Sequence, residues 1–326
     1  MLSIDSNSIA QWSRMGQRAV YGQALLSLAE EYPDLIAMSA DLANSSGLDR
    51  FRKKYPSRFL NVGIAEQNLI GVASGLANEG FNVFASSFSP FITLRAAEQV
   101  RMNLGYMEQN VKIVGIGSGL SMGFLGNSHF GLEDVAIIRA IPNILIISPS
   151  DTTEVVKAVY ALAEYRGPAY LRLTGLPGSE IVNEQDYDFE IGKSIELKQG
   201  RGISLIATGS MVSVAIEVAE SLEALGYEVG VINMHTIKPL DNTKVLEIIE
   251  VSKLIVTMEE HSRIGGLGSA VSELKSMYPN TPPQITIALD DEFGPTGGYE
   301  FLLDFHKLKA TFIVDKIRNY LEVMDA

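Results

Sequence analysis

The residue of this sequence best placed for acid–base work is Glu66, which opens the small, apolar run Ile64-Ala-Glu-Gln-Asn-Leu-Ile-Gly-Val-Ala-Ser-Gly and lies upstream of Phe88-Ser-Pro-Phe91. A carboxylate followed by two phenylalanines spaced three apart suits a flat, basic heteroaromatic ring, held at one edge and stacked on its face. A glutamate in a first helical turn also serves simply as a macrodipole partner. Here the neighbouring turns carry too few charges for a solvated face, which places the carboxylate in an enclosed site where it needs a partner. Phenylalanines most often fill cores, yet across Pro90, in the loop after a strand, Phe88 and Phe91 are spaced for a binding surface. His129, in Leu125-Gly-Asn-Ser-His-Phe-Gly-Leu-Glu133, sits between a glycine-rich loop and a helix running towards Arg139. It is either a structural loop residue or a proton donor and acceptor near neutral pH.

These residues need a frame, and the sequence supplies one. Short apolar β-rich runs alternate with amphipathic runs and glycine-bearing turns, the pattern of βα units in parallel sheets. In a first block, a helix is expected over Ala10–Leu28, strands over Leu35–Ser39, Asn82–Ser86, Val111–Gly115, Asn143–Ser148 and Ala169–Leu173, and a helix over Glu66–Asn78. Another helix follows Pro149-Ser-Asp151, capped by Asp151. A stretch of little periodicity from Gly175 to Gly192 reads as a linker across the surface. A second block repeats the theme with strands near 203–209, 228–233 and 253–258 and a helix over Val212–Leu225. The expected fold class is α/β with two domains, 1–180 and 193–326, joined by a linker at 181–192. Ligands of such sheets collect at the carboxyl ends of strands, so the loops after Ser39, Ser86, Gly115 and Ser148 matter most.

Composition narrows the function. The 326 residues are 46% hydrophobic and 20% charged, with a mean hydropathy of +0.14, enough to bury sizeable cores. A formal net charge of -13 argues against nucleic acid or an anionic membrane as partner. There is no cysteine, which removes disulfides and thiolate chemistry. Neither a leader-like N-terminus nor an apolar run near the roughly 18 residues of a membrane span is visible, so the chain reads as cytoplasmic. Gly115-Ile-Gly-Ser-Gly119 does not complete a dinucleotide loop, and no Walker A or HExxH motif occurs. His235, His261 and His306 read as structural.

Six segments in order, Ser39-Ala-Asp41-Leu, Asn61-Val-Gly-Ile-Ala-Glu66-Gln-Asn, Phe88-x-x-Phe91, His129-x-x-x-Glu133, Arg139-Ala-Ile-Pro-Asn143 and Ile237-Lys-Pro-Leu-Asp241, resemble the C-terminal half of transketolases and the related 1-deoxyxylulose-5-phosphate synthases. The resemblance covers essentially the whole chain and implies a pyrimidine-binding domain followed by a transketolase C-terminal domain. It implies thiamine diphosphate as cofactor, with Glu66 bonded to the ring nitrogen of its aminopyrimidine and Phe88 and Phe91 packing the ring. Asp41 matches an acidic residue near the cofactor and the subunit contact, and His129 matches a histidine that touches the substrate's oxygen atoms.

The departures from the family pattern are specific. Leu94 stands where a third aromatic is usual, Gly117 where there is a second histidine, and Leu125 where there is an aspartate. An arginine that receives the substrate phosphate aligns with Gly175, leaving Arg172, Arg95, Arg14 or Arg18 to replace it, or a substrate that is not a standard sugar phosphate. No Gly-Asp-Gly occurs, although thiamine enzymes hold the diphosphate through Mg2+ (or Ca2+) at such a motif. The expectation is therefore one subunit of a split enzyme, moving a two-carbon ketol unit from a ketose to an aldose. A separate N-terminal subunit would carry the metal, and the resemblance implies a heterotetramer. The competing readings are the β subunit of a 2-oxoacid dehydrogenase, a synthase-like enzyme suggested by Arg95-Ala-Ala-Glu-Gln99, and a non-catalytic regulatory subunit.

Overall fold

Alternation along the strands builds two sheets, each buried on both faces. The computed structural model describes residues 2–324. Its strands are β1 (Leu35–Ser39), β2 (Phe59–Asn61), β3 (Asn82–Phe88), β4 (Val111–Ile116), β5 (Leu145–Ile147), β6 (Ala169–Leu173), β7 (Ile195–Lys198), β8 (Ile203–Ala207), β9 (Val229–Asn233), β10 (Thr236–Lys238), β11 (Leu254–Ser262) and β12 (Gln284–Leu289). The first sheet runs β10-β5-β6-β4-β3-β1-β2 and the second β12-β11-β8-β9-β7. All pairings are parallel except β10 on β5 and β7 on β9. On β1 and β3, Leu35, Ala37 and Phe84 enter one core while Ile36, Met38, Val83 and Ala85 enter another, the two-residue period of a sheet covered by helices on both faces. No helix of the described residues is long and apolar enough to cross a membrane.

The expected fold class holds, and three details differ from expectation. The single helix over Ala10–Leu28 is two, Ser6–Met15 and Gln17–Glu31, separated by Gly16 at φ 79°. A Cβ on Gly16 would lie 2.7 Å from the backbone nitrogen of Pro177, so only glycine admits this close approach. Secondly, β10 comes from the second half of the sequence but completes the first sheet, and Ser148 N–H reaches back to the His235 carbonyl at 2.8 Å.

Thirdly, the segment between the two blocks, without regular structure before β7 and mostly on the surface as expected of a linker, is also tied down at several points. Asp151 caps the helix Thr152–Glu164 as expected, through Glu154 N–H at 2.8 Å, and its other oxygen accepts from Val182 N–H and Asn183 N–H at 3.0 and 2.7 Å. Glu154 accepts from Tyr187 Oη at 3.0 Å and Asn233 Nδ2 at 2.9 Å. Burial and the nearby Glu154 charge push the Asp151 carboxyl up to about 6. Phe189 stacks on buried His235, whose imidazole burial pushes down to about 4.

Candidate functional site

Parallel strands leave their carboxyl ends on one edge, and the loops beyond β1, β2, β3 and β4 meet there. After β1, Asp41 takes a left-handed φ of 62° and exchanges two hydrogen bonds with Asn61 at the end of β2: its backbone N–H donates to Asn61 Oδ1 at 2.8 Å, and its Oδ1 accepts from Asn61 Nδ2 at 3.1 Å. The same Asn61 oxygen accepts from Gly63 N–H at 3.1 Å, which fixes the turn into the helix Glu66–Asn78. Glu66 therefore stands in a first helical turn at a defined height above the sheet.

Its carboxylate is enclosed, as the low local charge implied, with 1% of the side chain exposed. Ser87 Oγ donates to Oε1 at 3.0 Å, and Arg95 Nη1 donates to Oε2 at 2.7 Å. Ser87 was not anticipated. Two adjacent serines in a fully buried strand were its only sequence signal: they point to opposite faces, Ser86 to Tyr21 Oη at 2.9 Å and Ser87 to Glu66.

Phe88 is the last residue of β3, and the chain then winds through a wide π-type turn, Phe91–Arg95. The two phenyl rings meet edge to face, 5.8 Å apart at 86°. His129 joins them, its ring centroid 5.5 Å from Phe88 and 5.0 Å from Phe91, with Ser128 Oγ 3.0 Å from its Nδ1. Arg95 sits over this cluster, its guanidinium carbon 4.0 Å from the Phe91 centroid. Glu66, Phe88, Phe91, Arg95 and His129 thus form one connected group. Leu94 and Ile64 are exposed beside it.

The loop carrying His129 is held from both ends. Gly119 and Gly131 exchange backbone hydrogen bonds at 2.9 and 3.1 Å, closing the loop at its base. Its outer part rests on the second sheet's side, where Asn127 Nδ2 donates to the Gly294 carbonyl at 2.8 Å and Gly297 N–H to the Gly123 carbonyl at 3.2 Å. Gly117, at φ 66°, has Met122 over it; a Cβ there would lie 2.6 Å from Met122 Cγ and 3.4 Å from Phe88. A thioether therefore fills the space beside Phe88.

Arg172 is placed elsewhere. It is 1% exposed, and its guanidinium donates to Asp134 Oδ2 at 2.8 Å and to the carbonyls of Gly131 and Glu260 at 2.9 Å each, joining the two sheets. Asp134 Oδ2 also accepts from Ser89 Oγ and Tyr170 Oη at 2.8 and 2.6 Å. Burial opposes ionisation of Asp134, but Arg172 and His261 outweigh it and hold the carboxyl below its ordinary value. Glu260, whose carboxyl burial raises, accepts from Leu120 N–H at 2.6 Å and from Ser210 and Tyr299 at 2.5 Å each. Nε and Nη2 of Arg172 are committed within the wall and the residue is 1% exposed, which leaves it poorly placed to receive a ligand.

A separate cleft of about 180 Å³ opens near Gly175, lined by Gly16, Arg18, Asn44, Ser45 and Pro177. Gly175 cannot simply regain a side chain, because a Cβ would lie 2.7 Å from Gln17 Cγ. Gln17 is itself buried and bonded to the Pro149 carbonyl at 3.2 Å and to Thr174 N–H at 2.9 Å. Arg18 is half-buried and makes no ion pair among the described residues. No group of three or more His, Asp or Glu side chains among the described residues is arranged to hold a metal ion.

Residues 13–175 match the transketolase pyrimidine binding domain and residues 192–311 the transketolase C-terminal domain. A Methanocaldococcus jannaschii protein described as a transketolase C-terminal section is 41% identical, over 94% of this chain and 96% of its own length. A 6-deoxy-6-sulfo-D-fructose transketolase subunit of a Clostridium species is 37% identical, over 91% and 92% respectively. Among solved structures, a split gene transketolase described as an inactive β4 tetramer superposes with a TM-score of 0.86 at 38% identity, covering 93% of this chain and 97% of that one.

Proposed function

This chain belongs to the transketolase family, and from that premise we propose that it is the C-terminal subunit of a two-subunit thiamine diphosphate enzyme that moves a two-carbon ketol unit from a ketose to an aldose. The observation that carries the proposal is the enclosed Glu66 carboxylate, linked through Arg95 to the cluster of Phe88, Phe91 and His129 rings. The residues fit an aminopyrimidine: Glu66 already accepts an N–H from a planar cation lying on Phe91. Bound there, thiamine diphosphate supplies the electron sink that carbon–carbon cleavage needs.

The chain's own groups then have distinct tasks. Glu66 Oε2 holds the hydrogen bond at the ring's edge, and Ser87 fixes the other carboxylate oxygen so that the bond keeps one direction. Phe88 and Phe91 receive the ring's face, and His129, held against both phenyl rings, orients the substrate's oxygen atoms. Asp41, locked to Asn61, would serve as the acidic residue near the cofactor and the subunit contact.

Mg2+ and the diphosphate belong mainly to a separate N-terminal subunit, since this sequence lacks a Gly-Asp-Gly motif. Two resemblances support a split assembly: the relative named as a transketolase subunit and the solved split transketolase whose β4 tetramer is inactive. In calorimetry, the purified chain alone is expected to show no tight, magnesium-dependent binding of thiamine diphosphate, and addition of the N-terminal subunit to create it. Tight binding by the chain alone overturns the split assignment.

Arg18 is the residue we assign to an anionic end of the substrate, because Arg14 is exposed on its helix, Arg95 is bonded to Glu66 and Arg172 is walled in. Charge-assisted contacts are worth a few kcal/mol, so Arg18→Ala should raise KM for a phosphorylated sugar by roughly 10- to 100-fold. The KM of an unphosphorylated analogue should move little. Equal changes for both sugars would remove the cleft from the substrate path.

A further inference from the structure

We infer that Arg95 is a positioning residue that stands in for the cofactor's ring, neutralising Glu66 until the ring takes its place. The inference rests on the site assignment above and adds a competitor to it.

Three observations converge. Glu66 is almost wholly excluded from water, and a carboxylate so placed requires a partner. The partner present, Arg95, is 46% exposed and so is only loosely anchored. Its guanidinium satisfies two conditions at once: an N–H directed at Glu66 Oε2 at 2.7 Å, and a planar face 4.0 Å from the Phe91 centroid. Those are the conditions a protonated or N–H-bearing heteroaromatic ring meets, by edge to carboxylate and by face to phenyl.

The local backbone is suited to such a movable group. Arg95 closes the π-type turn Phe91–Arg95, a wide winding that recurs at functional sites. Only its backbone is tied down from the neighbouring helix, where Gln67 Nε2 donates to the Arg95 carbonyl at 3.3 Å. The side chain can swing out to water without breaking any contact except the two it shares with the ring. Because Arg95 and a ring use the same oxygen and the same phenyl face, each ring that binds must displace the guanidinium. Ser87 keeps Oε1 occupied in either state, so the carboxylate does not rotate away during the exchange.

The test uses the assembled enzyme and a probe without phosphate, 4-amino-5-aminomethyl-2-methylpyrimidine, so that loss of an anion contact cannot mimic the result. Titration calorimetry should show Arg95→Met binding this ring roughly three- to thirty-fold more tightly than the wild type, the range spanned by exposed ion pairs and charged hydrogen bonds. In Arg95→Ala, millimolar guanidinium chloride should weaken ring binding again, while the same salt leaves the wild type unaffected; sodium chloride is the control. Unchanged or weaker ring binding in both variants overturns the inference, since it makes Arg95 a support and not a competitor. Glu66→Gln separates the two levels: if it leaves ring binding intact, the site assignment itself fails. If it abolishes binding while the Arg95 variants bind no tighter, only the competition fails.

Discussion

Glu66→Ala should lower the turnover of the assembled enzyme by roughly 10²- to 10⁴-fold, the range of a single positioned acid–base group. The melting temperature of the chain should change little. The two halves of this expectation have separate causes. Glu66 Oε2 is the only carboxylate oxygen among the described residues bonded to a planar donor over Phe91, so its removal takes away the group that holds a ring by its edge. Its folding contribution is small because Arg95, the group left behind, is half exposed and simply returns to water, while Ser87 loses one hydrogen bond. Steady-state rates at saturating cofactor, with circular dichroism melts of the same preparations, check both halves. A variant with undiminished activity would make this a structural subunit, the regulatory alternative that the altered positions Gly117, Leu125 and Gly175 first suggested.

Arg172→Ala should have the opposite profile, a loss of stability of about 3–5 kcal/mol, the scale for breaking one side of a buried ion pair. Asp134 and Arg172 are both buried, and the substitution leaves the carboxylate without its nearest cation, while the Gly131 and Glu260 carbonyls each lose one donor, Gly131 keeping that from Gly119 N–H. Urea unfolding monitored on Trp12 measures it. The depressed Asp134 carboxyl fixes the sign of the pH dependence: the pair stabilises above the unfolded carboxyl value of about 3.9, and its contribution is lost as pH falls below that towards the folded value. The gap between variant and wild type should therefore narrow in acid. The double variant Asp134→Leu, Arg172→Met should recover part of the loss, because apolar groups of similar volume need no partner. A single variant as stable as the wild type would show that the cluster does not join the sheets energetically.

The sheets and their order of elements were readable because runs such as Leu35–Ser39 and Ala169–Leu173 are short, apolar and bounded by turn residues. Glu66–Asn78 was readable to the residue for a similar reason, its small apolar face. The short β2 and the antiparallel β7 and β10 were not, since three or four residues carry no period. β11 runs past the expected end at Met258 to Ser262; Glu259, Glu260 and His261 are polar yet buried, because their partners come from distant segments. The site shows the same division. Glu66, Phe88, Phe91 and His129 stand out by type, by spacing and by the family resemblance, and the structure brings them into one group through Arg95. What lay beyond reach was each side chain's occupation: that Arg172 is spent inside the wall, that Arg95 rests on Glu66, and that Met122 fills the space over Gly117.

The strand β10 makes the two sheets inseparable as expressible pieces. A fragment ended within 176–191, between the two family domains, would bare the β5 edge, with Ile146 and Ile147 offering unpaired backbone to any other strand. The complementary fragment would carry Thr236–Lys238 with nothing to pair. A protein engineer wishing to cut, permute or fuse this chain should therefore treat the linker as the interior of one cooperative unit and place new ends in exposed turns outside it, such as Tyr278–Asn280 before β12.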